Sequence, residues 1–218
     1  MADVIPCPGC ARPYDRERFA EGRAVRCTCG ARVGEARETG IGRGERPRFA
    51  ADAMLGRLAR WLRALGYDTG WDPHVADPVL VRRALEQRRV ILTRDVPLAR
   101  EWRLDNLLFI HADDPLAQLG EVAAAYPLDD ARIFSLCTRC NATLHPVSAE
   151  HAGDRVPDAV HAAQAALLRC PSCERVYWEG SHTARMRDAI ARILAHPPDP
   201  GKVDLTPSQQ SPSQSQQS

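Results

Sequence analysis

No cysteine lies between residues 30 and 136, although the chain has eight. No apolar run approaches the roughly 18 residues that a membrane span requires. Nothing at the N-terminus shows the charged, apolar and small-residue order of a signal peptide. The expected location is therefore cytoplasmic, with no membrane partner. A phosphate-cradling Gly-rich loop of the P-loop type is missing, which argues against nucleoside-triphosphate chemistry. None of the seven histidines falls in a Ser, His and Asp order, so a hydrolytic triad is not expected either. Lysine is nearly absent, Lys202 being the only one among 29 basic residues.

What is present can build one ordinary core with small appendages that need a staple: 218 residues, 44% hydrophobic and 26% charged. The net charge of +1 conceals a division. Residues 1 to 103 carry 20 Arg against 14 Asp and Glu, a balance of +6, and the remainder carries −5. Guanidinium groups make bidentate contacts to phosphate, so the basic half is compatible with a nucleic acid partner.

The cysteines form four pairs, Cys7/Cys10, Cys27/Cys29, Cys137/Cys140 and Cys170/Cys173. Thiolates one or two residues apart can close on one tetrahedral Zn²⁺ but are poorly shaped for a mutual disulfide. In CPGC and CPSC the turn presents backbone N–H groups to the sulfurs. Two structural zinc ions are expected, one per half of the set. Four thiolates leave no coordination position for water, so neither ion should be catalytic. A reducing compartment suits eight thiols held this way. Thiol redox chemistry is the rival reading, but it leaves the regular pairing unexplained.

The segments divide accordingly. Residues 1–34 form an N-terminal zinc ribbon, 35–47 a Gly-, Glu- and Arg-rich linker, and 48–133 an α/β domain. Residues 134–195 hold the second zinc ribbon and a closing helix, and 196–218 a Pro-, Ser- and Gln-rich tail expected to be disordered. Within the central domain RFAAD reads as a strand ending in Asp52. MLGRLARWLRALG then places Met54, Leu55, Leu58, Leu62 and Leu65 on one helical face, with Arg57, Arg60 and Arg63 outside it. Gly66 marks the helix end. Asp77-Pro78 opens a second helix, RVILTRD is a strand ending near Asp95, LLFIH another, and Asp113-Asp114-Pro115 opens a helix to about Ala125. In the second zinc segment a helix is expected from Asp158 to Leu168, RVYW reads as a strand, and Ser181 as the cap of the last helix. Strands alternating with helices at this spacing predict a parallel sheet covered by helices. Ligands of such sheets gather beyond the carboxyl ends of the strands.

Asp52 and Asp95 each follow an apolar strand and should project into that crevice. Phosphodiester hydrolysis without a protein nucleophile uses a hard divalent ion, Mg²⁺ or Mn²⁺, held by a few carboxylates. Asp52 and Asp95 supply the minimum. Asp77 has metal ligation and helix capping open to it, and for Asp113 and Asp114 capping is the preferred role. Glu86 reads as a solvated mid-helix residue. Arg57, Arg60 and Arg94 are candidates for positioning a phosphate backbone, against the default of a solvated face, and His182 for touching substrate.

ADAMLGRLARWLRALGYDT, ADPVLVRRALEQRRVILTRDVPLAR, FSLCTRCNATLHPV and RCPSCERVYWEGSH, in that order, resemble the PIN-like ribonuclease family. The nearer resemblance is to the branch named after the C-terminal RNase domain of the mut-seven exonuclease, over residues 48 to 194. It implies a PIN-like α/β domain with an acidic Mg²⁺ or Mn²⁺ site and a fused zinc ribbon. By position it makes Asp52, Asp77 and Asp95 the metal-site acids, with Asp113 or Asp114 as a loose fourth, and assigns Cys137, Cys140, Cys170 and Cys173 to the ribbon. The N-terminal zinc segment and the tail lie outside it. The resulting expectation is a metal-dependent ribonuclease, an endonuclease acting on RNA. The alternative is a non-catalytic RNA- or protein-binding adaptor with a PIN-like core and two zinc ribbons.

Overall fold

The computed structural model describes residues 3–22, 24–34, 45–102, 104, 106–153, 156–162 and 166–198. The expected linker up to residue 44 and the expected tail from residue 199 lie outside them.

The N-terminal segment contains β1 (Val4–Pro6), β2 (Pro13–Asp15), a 3₁₀ helix (Arg16–Gly22), β3 (Val25–Arg26) and β4 (Arg32–Val33). Its two antiparallel ladders, β1 with β2 and β3 with β4, close over Cys7, Cys27, Phe19 and Val33. So small a core cannot hold three turns together without a further staple.

The central domain runs β5 (Phe49–Ala51), α1 (Gly56–Ala64), β6 (Thr69–Trp71), α2 (Asp77–Glu86), β7 (Val90–Thr93), α3 (Val96–Glu101), β8 (Leu107–Phe109) and α4 (Pro115–Ala125). The four strands are parallel in the order β6-β5-β7-β8. Side chains alternate across the sheet. Phe49, Ala51, Val90, Leu92 and Leu108 face one core, filled by Leu58 and Leu62 of α1 and Leu119 and Val122 of α4. Ala50 and Ile91 face the other, filled by Leu80, Val81 and Ala84 of α2 and Leu98 and Trp102 at α3. The α/β expectation is thus met, as three layers. Strand β6 was not read from the sequence: Thr-Gly-Trp is a short edge strand with no apolar alternation, held by its ladder to β5.

Met54, expected on the buried stripe, is 61% exposed, because a 3₁₀ turn (Ala53–Leu55) precedes α1 and rotates it outward. Gly66 ends α1 at φ +84, and a Cβ there would meet the Arg132 carbonyl oxygen at 2.2 Å, so only glycine fits.

The C-terminal segment contains β9 (His145–Val147), α5 (Ala149–Ala152), α6 (Asp158–Ala162), β10 (Leu167–Arg169), β11 (Val176–Trp178) and α7 (Ser181–Ala195). The expected helix from Asp158 to Leu168 is shorter, since Leu167 and Leu168 belong to β10, paired between β9 and β11. Residues 163–165 lie outside the description. Ser181 is not the cap of α7. Gly180 holds that position, and Thr183 Oγ accepts from its N–H at 2.7 Å. Helix α7 then returns to the central domain, where Ile190 enters the same core as α1 and α4.

Arg63 joins the ribbon to the sheet. Placed outside the apolar stripe by the sequence, it is nonetheless buried, at 3% exposure. Its Nε–H donates to the Thr69 carbonyl at 2.9 Å, and Nη1 donates to the carbonyls of Thr138 at 3.2 Å and Arg139 at 2.8 Å. Burial lowers its proton affinity, while the nearby Cys137 and Cys140 sulfurs act in the opposite sense. Beside it Asn141, at φ 66, accepts from the Thr69 N–H at 3.0 Å and donates to Asp68 at 2.5 Å. Arg89 grips Asp68 in a fork, at 2.8 and 2.9 Å. Arg63→Met keeps the apolar stem and strands three carbonyls. It should cost roughly 3 kcal/mol of unfolding free energy in urea titration of the zinc-loaded protein, whereas Arg60→Met on the exposed side of α1 should cost little.

Candidate functional site

The chain leaves β5 toward β6 on one side and reaches β7 on the other, so the crevice at the carboxyl ends of β5 and β7 is the switch point of the sheet. Asp52 stands there, immediately after β5 and 5% exposed. Its backbone N–H continues the ladder to Leu92 O at 2.9 Å. Its Oδ1 accepts from the Ala53 N–H at 2.5 Å, and its Oδ2 accepts from the Thr93 hydroxyl at 2.7 Å. The same Thr93 oxygen accepts from the Asp95 N–H at 2.9 Å. One buried hydroxyl at the end of β7 therefore links two of the expected acids. Asp95 also caps α3, with Leu98 N at 3.5 Å from its Oδ1.

Asp77 is the first residue of α2 and does not cap it, because Ala76 holds the cap position. Its carboxyl group is held above the usual carboxylate range, first by burial and then by the negative charges of Asp95, Asp52 and Glu101. The three expected acids thus share one electrostatic neighbourhood, and Glu101 at the end of α3 joins them. Glu101 went unread in the sequence because nothing in PLAREWR separates it from a solvated helix residue. Thr93 was equally unmarked within VILT. The backbone of the N-terminal segment reaches this corner, where the Ala24 N–H donates to the Glu101 carbonyl.

The remaining candidates sit elsewhere. Asp114 caps α4, accepting from Leu116 N at 2.9 Å and Ala117 N at 3.0 Å. Asp113 pairs with Arg94, so that guanidinium is already engaged at the surface. Neither aspartate is among the groups that act on Asp77. Glu86 is exposed at the far end of α2. Arg57 and Arg60 are exposed on α1, and His182 is exposed on the first turn of α7. The three line one cleft.

The eight thiols fall into two quartets, Cys7, Cys10, Cys27 and Cys29, and Cys137, Cys140, Cys170 and Cys173. In each, the sulfurs all lie within 4.8 Å of one another. Cys7 and Cys29 are 3.5 Å apart, Cys10 and Cys27 3.5 Å, and Cys137 and Cys173 3.7 Å. A tetrahedron with Zn–S bonds of about 2.3 Å has edges of about 3.8 Å. In the CPGC turn Gly9 N donates to Cys7 at 3.4 Å as expected, and in the CTRC turn, not named in that expectation, Cys140 N donates to Cys137 at 3.3 Å. A backbone N–H from Cys29, with the Tyr14 hydroxyl, lowers Cys27 to about 5, while Cys29 is pushed up to about 11. Burial would raise Cys137, but bonds from the Tyr177 hydroxyl and from backbone N–H groups outweigh it and bring it to about 6. Crowded sulfurs that cannot all ionise alone are what a soft dication neutralises, so each quartet could hold zinc.

The carboxylates differ in kind. Among the described residues no trio of them gathers within the 4.8 Å that the sulfurs meet. Their oxygens are hard donors, each retaining a lone pair beyond its hydrogen bond. A wide, oxygen-only set fits Mg²⁺ or Mn²⁺, which keep several waters and take one or two protein carboxylates. Such a site can polarise a phosphate and carry a water, which the closed thiolate sites cannot.

The family model described as Mut7-C RNAse domain matches residues 47–190 of the chain. Comparisons with the curated proteins and with the solved structures found no match. The matched span takes in the acid crevice, the C-terminal thiol quartet and most of α7, and leaves out the N-terminal quartet.

Because Asp77 binds its proton more tightly folded than unfolded, stability falls as pH rises from the unfolded carboxylate value, about 3.9, through the raised folded value. The cost persists above that. Asp77→Asn should therefore raise the melting temperature of zinc-loaded, Mg- and Mn-free protein at pH 7 and change it less at pH 4. Equal shifts at both pH values would contradict the shared field of Asp52, Asp77 and Asp95.

Proposed function

The chain belongs to the Mut7-C RNAse domain family, and from that premise we propose that it is a metal-dependent endoribonuclease whose acids Asp52, Asp77 and Asp95 hold Mg²⁺ or Mn²⁺. The observation that carries this reading is that the three carboxylates share one electrostatic neighbourhood at the switch point, with Asp77 held above the ordinary range first by burial and then by its negative neighbours. Charge of one sign is assembled there at a cost that a bound cation would offset. A divalent ion bound by these oxygens would polarise the scissile phosphate and lower the proton affinity of an attacking water.

The chain's own residues supply the rest. Thr93 donates to the Asp52 carboxylate and accepts from the Asp95 backbone N–H, fixing the Asp52 side chain and the Asp95 backbone at the strand ends. Such outer contacts set the orientation of metal-binding oxygens. Glu101 adds negative charge at the rim. Arg57, one turn beyond Asp52 on α1, and Arg60, one turn further, orient the RNA backbone. Arg94, paired with Asp113, is available to phosphate only by exchanging that exposed partner. The two thiol quartets hold two structural zinc ions, and the reduced thiols they require match action in the cytoplasm.

Two measurements test this reading. With Mn²⁺, the purified protein should cleave a mixed RNA transcript pool internally. Thr93→Val, which preserves shape but removes the hydroxyl, should slow cleavage about 10- to 100-fold, and Asp95→Asn should slow it further. Survival of the transcripts alike with wild type and Asp95→Asn would remove the enzyme reading and leave the binding adaptor. Native mass measurement should find two zinc ions per chain, and one after Cys7→Ser with Cys10→Ser. No zinc in the wild-type protein would overturn the metal assignment of the cysteines.

A further inference from the structure

A cleft of about 640 Å³ opens between α1, the C-terminal zinc segment and α7. Its walls carry Arg57 and Arg60 from α1 and Arg185 and His182 from α7, and no carboxylate is among its lining residues. Among the described residues Arg57 and Arg60 form no ion pair, and Arg185 uses only its Nε–H, on the Ser181 carbonyl at 3.2 Å. Several other surface arginines do have carboxylate partners, Arg46 in Asp129, Arg48 in Asp68 and Arg187 in Glu179. The cleft therefore gathers three guanidiniums that have no carboxylate partner among the described residues, in a chain whose net charge is only +1.

Aromatic rings stand among these cations. Trp61, Phe134 and Tyr177 line the cleft and are each half-buried. Arg187 lies over the Phe134 ring at 5.3 Å, which leaves Trp61 and Tyr177 as the stacking surfaces. The Tyr177 ring is held at its far end, its hydroxyl being 3.1 Å from Cys137 Sγ. Helix α1 begins just past Asp52, and α4, which contributes Leu116, begins after β8. The Arg57 end of the cleft therefore lies toward the carboxyl edge of the sheet where the acids stand, and its Phe134 and Thr138 end lies by the far end of α1.

We propose that this cleft binds single-stranded RNA and delivers it to the acids, with Arg57, Arg60 and Arg185 on the phosphates and Trp61 and Tyr177 stacking on splayed bases. The proposal rests on the ribonuclease reading and adds the strand state of its substrate. Phosphate-matched guanidiniums interleaved with aromatic faces suit a strand whose bases are free to turn outward. A duplex keeps its bases stacked inside and cannot reach the rings. The C-terminal zinc segment becomes a wall of the substrate path through Tyr177.

The test is fluorescence anisotropy with a fluorescein-labelled ten-nucleotide RNA, using zinc-loaded full-length protein without Mg²⁺ or Mn²⁺. The single strand should bind at least about tenfold more tightly than a duplex of the same length. Arg60→Glu and Arg185→Glu, both at exposed positions, should each weaken it about tenfold and reduce the salt slope by about one per lost phosphate contact. Tyr177→Leu should weaken binding about tenfold, with Tyr177→Phe retaining the ring and most of the affinity. Arg192→Glu, exposed on α7 outside the cleft, should leave binding unchanged. Equal affinity for single strand and duplex, or an equal loss in Arg192→Glu and Arg185→Glu, overturns the proposal. Cleavage in Mn²⁺ is scored separately: RNA cut normally by Arg60→Glu and Arg185→Glu would sink the cleft and spare the ribonuclease reading. RNA bound in the cleft but never cut would do the reverse.

Discussion

One buried guanidinium ties the two halves of the matched region together. Arg63 leaves the middle of α1 and satisfies the Thr69 carbonyl at the sheet edge together with two carbonyls of the turn between Cys137 and Cys140. A thiolate turn presents carbonyls on its outer side, and burying them against a sheet without donors would cost more than the contact returns. Arg63 supplies the donors, and the sulfurs behind those carbonyls favour its charge. The Asn141, Asp68 and Arg89 chain repeats the attachment one step along. The C-terminal thiol segment, Tyr177 in the cleft wall included, is attached at that joint, and α7 is held besides by Ile190 in the core it shares with α1 and α4.

The molecule gathers negative charge in two chemically distinct ways. Eight sulfurs form two tight quartets, which suits a soft ion of fixed tetrahedral geometry and leaves no room for substrate. The carboxylates are spread more widely at the ends of parallel strands, where oxygen ligands and retained waters suit a hard ion with open positions. Closed thiolate sites suit a frame, whereas open oxygen sites suit a substrate. The N-terminal quartet lies outside the family match, yet its segment touches the acid corner through the bond from Ala24 to the Glu101 carbonyl.

Much of this was legible from residue order because local chemistry and tertiary structure agree. Proline after aspartate marked the starts of α2 and α4, apolar runs marked β5 and β7, and paired cysteines marked both quartets. The failures share a cause, which is tertiary contact overriding local pattern. Arg63 has the spacing of a solvated residue and is buried because the second zinc segment folds over it. Leu167 and Leu168 continue a helical period but pair as a strand between two others. Asp77 has the sequence of a cap, yet Ala76 takes that position, and burial with the approach of Asp95, Asp52 and Glu101 distinguishes it. Thr93 and Glu101 carry no local signal at all, since their meaning lies in which carboxylates the sheet order brings beside them.

The central claim is that the carboxylates at the switch point form a cation site, and direct titration of Mn²⁺ tests it without any RNA. Isothermal titration into zinc-loaded protein, with Mn²⁺ electron resonance alongside, should show saturable binding in the wild type. Asp95→Asn should lose that binding while zinc content and melting behaviour of the fold are retained. Equal Mn²⁺ binding in the two proteins, or none in either, would contradict the account.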